Sequence, residues 1–233
     1  MKQKTQYQYE YERPALATDC AIFGFDGGEL KLLLLKREKE PFENKWALPG
    51  GFVYMDETTE AAAKRILLEK AGVKDVFIEQ LYTFSRIDRD PRERIVSVSY
   101  FALVNKSQFE VIAGRDTIQA AWHPISLLPE LGFDHGEIVK MAIERLKGKL
   151  RYQPIGFELL DAKFTLSQLQ LLYEAILQAP VDKRNFRKKI IGMGLLKQLD
   201  EKEQNVARKA AFYYSFDHKA YQELTKKGFN FEL

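Results

Sequence analysis

Apolar positions change their spacing several times along the chain, and each change marks an element. The runs "ALATDCAIFGF" (15–25) and "LKLLLLKR" (30–37) flank "DGGE" and predict two strands of a hairpin. "WALPGGFV" is a strand that breaks into a loop at Pro-Gly-Gly. Residues 58–71 repeat Ala and Leu behind an acidic loop and stop at Gly72, which predicts a helix with a glycine just past its end. "DVFIEQLYTFSRID" and "RIVSVSYFALV" predict two more strands around the charged loop "DRDPRER". "EIVKMAIERLKGKL" (137–150) has the period of an amphipathic helix. Strands mixed with two helices predict an α+β sandwich for residues 14–150. Residues 1–13 are expected to be a flexible tail.

The period changes again after residue 150. "RYQPIGFELL" is expected to be a linker. "TLSQLQLLYEAIL" (165–177) predicts a helix with Thr165 as N-cap. "APVD" is a tight turn, and "KRNFRKKIIGMG" (183–194) predicts a basic helix capped by Asp182. "AAFYYSF" (210–216) is a strand, and the charged segment before it is a candidate wing. Two helices joined by a short turn and followed by a hairpin predict a winged helix-turn-helix over residues 151–233.

Composition narrows the class. With 45% hydrophobic and 12% aromatic residues, 233 residues suffice for two domains with a sizeable core. The apolar runs are far too short to span a bilayer, and the polar N-terminus lacks the apolar stretch of a signal peptide, so a cytoplasmic protein is expected. A single cysteine, Cys20, excludes an intramolecular disulfide, and the three histidines have no metal-ligand spacing. The net charge of +3 is unevenly spread: residues 151–233 hold 14 Lys and Arg against 10 Asp and Glu, and the first 150 residues 22 against 23. The positive excess sits in the second unit, where it suits an acidic partner such as nucleic acid.

Residues 51–73, "GFVYMDETTEAAAKRILLEKAGV", carry the most specific pattern. Pyrophosphate hydrolysis on a loop and helix needs clustered carboxylates, which hold Mg²⁺ and so neutralise phosphate and activate water. Carboxylates at i, i+3 and i+4 share one helix face and can converge on a metal. Gly51, Glu57, Arg65, Leu67, Glu69, Gly72 and Val73 stand at the spacings of the Nudix box, and the segment resembles that of the Nudix hydrolases. It departs from the box at two positions that hold Glu in those hydrolases, here Ile66 and Lys70. Of the helix carboxylates that would face a metal, Glu69 alone is left. No catalytic residue, metal or cofactor is therefore expected. Mg²⁺ would enter only in the alternative reading, a hydrolase of nucleoside-diphosphate sugars. The remaining matches read as fold residues, with Glu57 and Arg65 as a local ion pair.

In 183–189, "KRNFRKK", Phe186, Ile190 and Met193 form an apolar stripe at 100° per residue. Arg184, Arg187 and Lys188 point away from it, Asn185 lies at its margin, and Lys183 and Lys189 flank it. Arg and Asn suit base edges and Lys suits phosphates. Arg208 and Lys209 on the candidate wing suit phosphate contact. The order "GFELL…FTLSQLQLLYEAI…VDKRNFRKKI…GLL", together with "QLYTFSRIDRDPRERIVSVSYFALV", is similar to the Nudix-related transcriptional regulators over nearly all of residues 15–225. The resemblance implies a homodimer on double-stranded palindromic operator DNA, with the Nudix-like domain, an α/β/α sandwich on a mixed sheet, sensing a small molecule. It implies ADP-ribose or, in a sugar-utilisation branch, the pentose L-arabinose. The candidate pocket residues beside the box are Arg37, Trp46, Gly51, Lys70, Tyr82, Phe84, Arg86, Asp88 and Arg89, with Arg92 nearby. The arginines and Lys70 suit a pyrophosphate, an aromatic suits an adenine or sugar face, and Asp88 suits hydroxyls. His135 is expected to cap or pack.

Overall fold

The computed structural model describes residues 9–74, 76–108, 111, 113–114, 116–204 and 210–227. Its first unit is built on a mixed sheet. Strand β1 (Ala15–Asp26) turns at Gly27–Gly28 into β2 (Glu29–Arg37), and both glycines have positive φ, which a tight turn requires. The two strands pair only from Phe23↔Leu32 to the turn. Beyond that point they splay. The short strand β3 (Trp46–Ala47) pairs with β2 and β4 (Gly50–Phe52) pairs with β1, which leaves a cleft between them. On the other side of β1 lies β6 (Ile95–Val104), parallel to it, and then β5 (Phe77–Phe84), antiparallel to β6. Strand β7 (Thr117–Pro124) completes the sheet along β2.

Helix α1 (Thr59–Ala71) covers one face, packing Ala63, Leu67 and Ala71 on Cys20, Ile22 and Tyr100. Its start is capped by the Thr58 hydroxyl, which accepts from Ala61 N–H, and its end by Gly72 at φ 68°. The other face packs on α2 (His135–Leu150) through Ile138, Ala142 and Leu146. Helices on both faces make the sandwich that the sequence predicts.

The second unit starts in a short 3₁₀ helix, Ile155–Leu159, where the sequence suggests a linker. The segment is packed, not free: the Phe157 ring stacks on Phe216 at 4.3 Å and lies 5.5 Å from Phe164. Strand β8 (Phe164–Thr165), α3 (Leu166–Leu177), α4 (Lys183–Gly192), β9 (Leu196–Lys202), β10 (Phe212–Phe216) and α5 (His218–Lys226) follow. The antiparallel order β8-β10-β9 with α3 and α4 against it is a winged helix. Thr165 caps α3 in a reciprocal capping box with Gln168, and Asp182 caps α4. Leu169, Leu172, Tyr173 and Ile190 belong to the same buried cluster as Phe23, Leu32 and Phe101 of the sheet. The two units thus share one core. Asp161 fastens them further, accepting from Asn105 Nδ2 at 2.8 Å and Ser107 Oγ at 2.9 Å.

Candidate effector cleft and DNA-reading helix

The cleft left by the splayed strands holds about 290 Å³. Its walls combine apolar side chains (Leu35, Leu48, Ile95), two aromatics (Phe52, Phe133) and a high density of charge. Most of the charge is already matched. Arg89, 4% exposed, donates from Nε and Nη2 to both oxygens of Asp134 (2.9 and 2.7 Å) and from Nη2 to Asp19 (3.1 Å). Asp19 also accepts from Ser97 Oγ at 2.7 Å and faces His135 Nε2 at 3.4 Å. Burial works against ionisation of Asp19, but His135, Arg89 and Ser97 outweigh it and hold the carboxyl well below the usual range. Arg92 forks onto Asp90 at 2.9 and 2.7 Å. Lys39 reaches Asp116 at 2.6 Å.

Two cations differ. Arg37 donates to the Pro41 and Lys39 carbonyls (2.8 and 3.1 Å) and lies 4.9 Å from the centre of the Phe133 ring. Lys70, on the last turn of α1, is half-buried in the cleft wall, and its ammonium has no hydrogen bond or ion pair among the described residues. Burial first, and Arg37 second, push its pKa down.

The box itself is folded as a structural unit. Arg65 donates to both Glu57 oxygens (2.6 and 3.0 Å) and to the Phe52 carbonyl (2.9 Å), and it lies 3.9 Å over the Tyr54 ring. Those bonds hold Glu57 below the usual carboxylate range. Glu69 is drawn to the same arginine at 3.3 Å and does not line the cleft. Ile66 is 1% exposed, directly under Gly51, where a Cβ would come within 3.2 Å of it.

Of the sequence-predicted pocket residues, Arg37, Gly51, Lys70 and Arg89 line the cleft, as do Arg92 and His135. His135 is a buried strut: its Nδ1 accepts from Leu48 N–H at 2.9 Å. The other five stand elsewhere. Trp46 alternates with Ala47, which faces the cleft, so its ring turns to the opposite face and meets His123 edge-on at 4.5 Å. Tyr82 and Phe84 lie on β5, two strands from β1; Phe84 is core and Tyr82 is exposed. Arg86 and Asp88 pair with each other at 2.8 Å, and Arg86 reaches Glu137 on α2 at 2.6 Å. Their part of the loop folds over the start of α2, while Arg89, Asp90 and Arg92 of the same loop line the cleft. Phe52, Phe133, Lys39 and Asp116 are cleft residues without a sequence signal: Lys39 and Asp116 meet across 77 positions.

On α4, Phe186 and Ile190 are buried, with Phe186 edge-on to Tyr173 at 5.1 Å. Lys183, Arg184, Asn185, Lys188 and Lys189 are exposed, and the four cations among them have no ion pair among the described residues. Arg187 departs from the expected outward row. It is half-buried and donates to Ser167 Oγ at 2.9 Å, tying α4 to the start of α3. Arg208 and Lys209 lie outside the described residues. No helix among those residues is long and apolar enough to cross a membrane.

Comparison with known proteins agrees with both units. Residues 13–142 match the NUDIX domain model and residues 156–216 the NrtR DNA-binding winged helix domain model. The chain is 37% identical over 212 residues to the ADPR responsive transcriptional repressor NtrR of Acinetobacter baylyi, covering 89% of this chain and 85% of that one. It superposes on Shewanella oneidensis NrtR complexed with a 27mer DNA at TM-score 0.78 and 31% identity, over 93% of this chain and 97% of that one. It is also similar to the NUDIX domain of Shewanella oneidensis NrtR complexed with ADP ribose, at TM-score 0.55 and 34% identity over 58% and 90%. With a Nudix-type domain and an NrtR-type winged helix on one shared core, the chain belongs to the NrtR family of DNA-binding transcriptional regulators.

Proposed function

We propose that this regulator is a repressor that, as a homodimer, releases its operator when ADP-ribose enters the cleft between β3 and β4, and that it does not hydrolyse the ligand. The observation that carries this reading is the row of exposed cations on α4, which have no ion pair among the described residues, backed by Phe186 and Ile190 in a core continuous with the sensor sheet. A helix with an apolar back and a basic front suits the major groove, where Arg184 and Asn185 can read base edges and the lysines can hold phosphates. Helix α2 supports coupling between the sites. It starts at the cleft with His135 and ends at Leu150 in the core shared with the winged helix. A ligand that prefers one arrangement of these units shifts the population of the DNA-binding form.

ADP-ribose is favoured over L-arabinose because two relatives carry ADP-ribose in their names and because Arg37 and Lys70 present charge that a neutral pentose leaves unmatched. The box does not fit a divalent cation. Ile66 is core, Glu69 is held by Arg65, and Lys70 brings a like charge to the cleft. Calorimetric titration with ADP-ribose and with L-arabinose, paired with an assay for AMP released in Mg²⁺ or Mn²⁺, tests the proposal. Binding of ADP-ribose without cleavage is expected. Turnover that disappears in Glu69→Gln would make the chain a hydrolase.

A further inference from the structure

The mismatch between the box and a metal changes the balance of charge in the cleft. Among the lining cations, Arg89 is neutralised by Asp19 and Asp134, Arg92 by Asp90, and Lys39 by Asp116. That leaves Arg37 and Lys70. Arg37 spends two of its five N–H groups on backbone carbonyls, which fixes the direction of its fork and leaves three donors. Lys70 has three donors and no acceptor among the described residues. Glu40, the one lining acid outside the three pairs above, is exposed at the rim. Both cations line the same cleft, and Arg37 lies close enough to disfavour the ammonium of Lys70, an effect that an anion placed between them would relieve.

Resting on the effector-cleft reading above, we propose that Lys70 and Arg37 form a metal-free clamp for a diphosphate, so that the cleft selects phosphorylated ligands over neutral sugars and binds them without a divalent cation. The charges match. A diphosphate diester carries two negative charges, and the ammonium and guanidinium supply the two positive charges that a bound Mg²⁺ would otherwise bring. The chemistry differs in one respect: an ammonium has no open coordination site and cannot turn water into hydroxide as a metal does. The clamp therefore holds the diphosphate intact, which suits a sensor.

The test is calorimetric titration of the full chain with ADP-ribose, inorganic pyrophosphate and ribose, each in EDTA and in MgCl₂. Expected are equal ADP-ribose affinities in EDTA and Mg²⁺, measurable pyrophosphate binding, and none for ribose. Lys70→Gln should lose about 10- to 100-fold in affinity for ADP-ribose and pyrophosphate alike, as a lost charged hydrogen bond does, and Lys70→Arg should recover most of it. Melting curves of the variants show that the fold is kept. The clamp is overturned if Lys70→Gln binds as the wild type does, or if wild-type binding requires Mg²⁺. Should pyrophosphate bind through Lys70 while ADP-ribose does not bind at all, the clamp stands and the choice of effector falls.

Discussion

Helices α1 and α4 both carry dense positive charge and put it to opposite uses. On α1, Lys64 is bridged to Glu60 at 2.6 Å, and Arg65 is locked between Glu57 and Glu69. Those cations find their partners within the protein, and Arg65 holds the loop before α1 in place. On α4 there is no acid from Lys183 to Gly192, and Asp182, just before it, is occupied as the cap. Its exposed cations keep their charge for an outside partner. The lesson is that a cation's availability is set by its neighbours, and its position on a helix decides little. Lys70 fits that rule from the other side: it sits on the paired helix yet has no hydrogen bond or ion pair among the described residues, and it lines the cleft.

The sharpest way to break the comparison is to remove a paired cation. Arg89→Met leaves Asp19 and Asp134 buried without their partner and should cost about 3–5 kcal/mol of folding stability, read from denaturant unfolding. If the loss is below about 1 kcal/mol, the buried pairing is not what holds the cleft. Removing unpaired cations should do the reverse. Arg184→Ala and Lys188→Ala should each cost DNA affinity by about 1–3 kcal/mol or less while the melting temperature stays put, and Lys188→Ala should lower the salt slope by about one unit if it meets a phosphate.

Acid should sharpen the same contrast. The native pKa values of Asp19, Asp90 and Glu57 are all depressed. The stability they lend is present above the unfolded carboxyl values, about 4, and is lost as pH falls through the lower native ones. Unfolding followed from pH 6 to pH 2 should therefore show a steep decline below about pH 4, shallower in Arg89→Met. The smallest effect is expected at Lys64. Its pair with Glu60 is exposed, so Lys64→Ala should change stability by no more than about 0.5 kcal/mol and leave DNA binding alone.

Much of the fold was legible because its signals are local. Thr165, Asp182 and Gly72 mark helix ends by the chemistry of their own side chains or backbone, and all three do so here. Strand β7 was not legible: "TIQAAWHP" is weakly apolar and ends in proline, and it is fixed by pairing with β2 at separations from Arg37↔Thr117 to Lys31↔Pro124, far outside any local window. Helix α5, "HKAYQELTK", is too short and polar to stand out before Tyr221 and Leu224 are seen against the core. The cleft was half legible. Arg37, Lys70 and Arg89 were found as cations near the box, whereas Trp46, Tyr82 and Phe84 were placed there as aromatics on strands. Period two tells that neighbouring residues face opposite ways, but not which face a splayed strand opens onto a cavity. Likewise, the basic helix was found by its charge, and only packing reveals that Arg187 bonds Ser167 instead of standing with Arg184.

If one chain reads DNA with α4 and a phosphorylated sugar with the β3–β4 cleft, the second act should undo the first. Fluorescence anisotropy of labelled DNA from upstream of its own gene, titrated with the protein and then with ADP-ribose in EDTA, tests it most directly. Expected is tight, sequence-selective binding that saturating ADP-ribose releases without metal and that L-arabinose leaves intact. Operator affinity unchanged by ADP-ribose, or binding equally weak and steeply salt-dependent on any DNA, would contradict it.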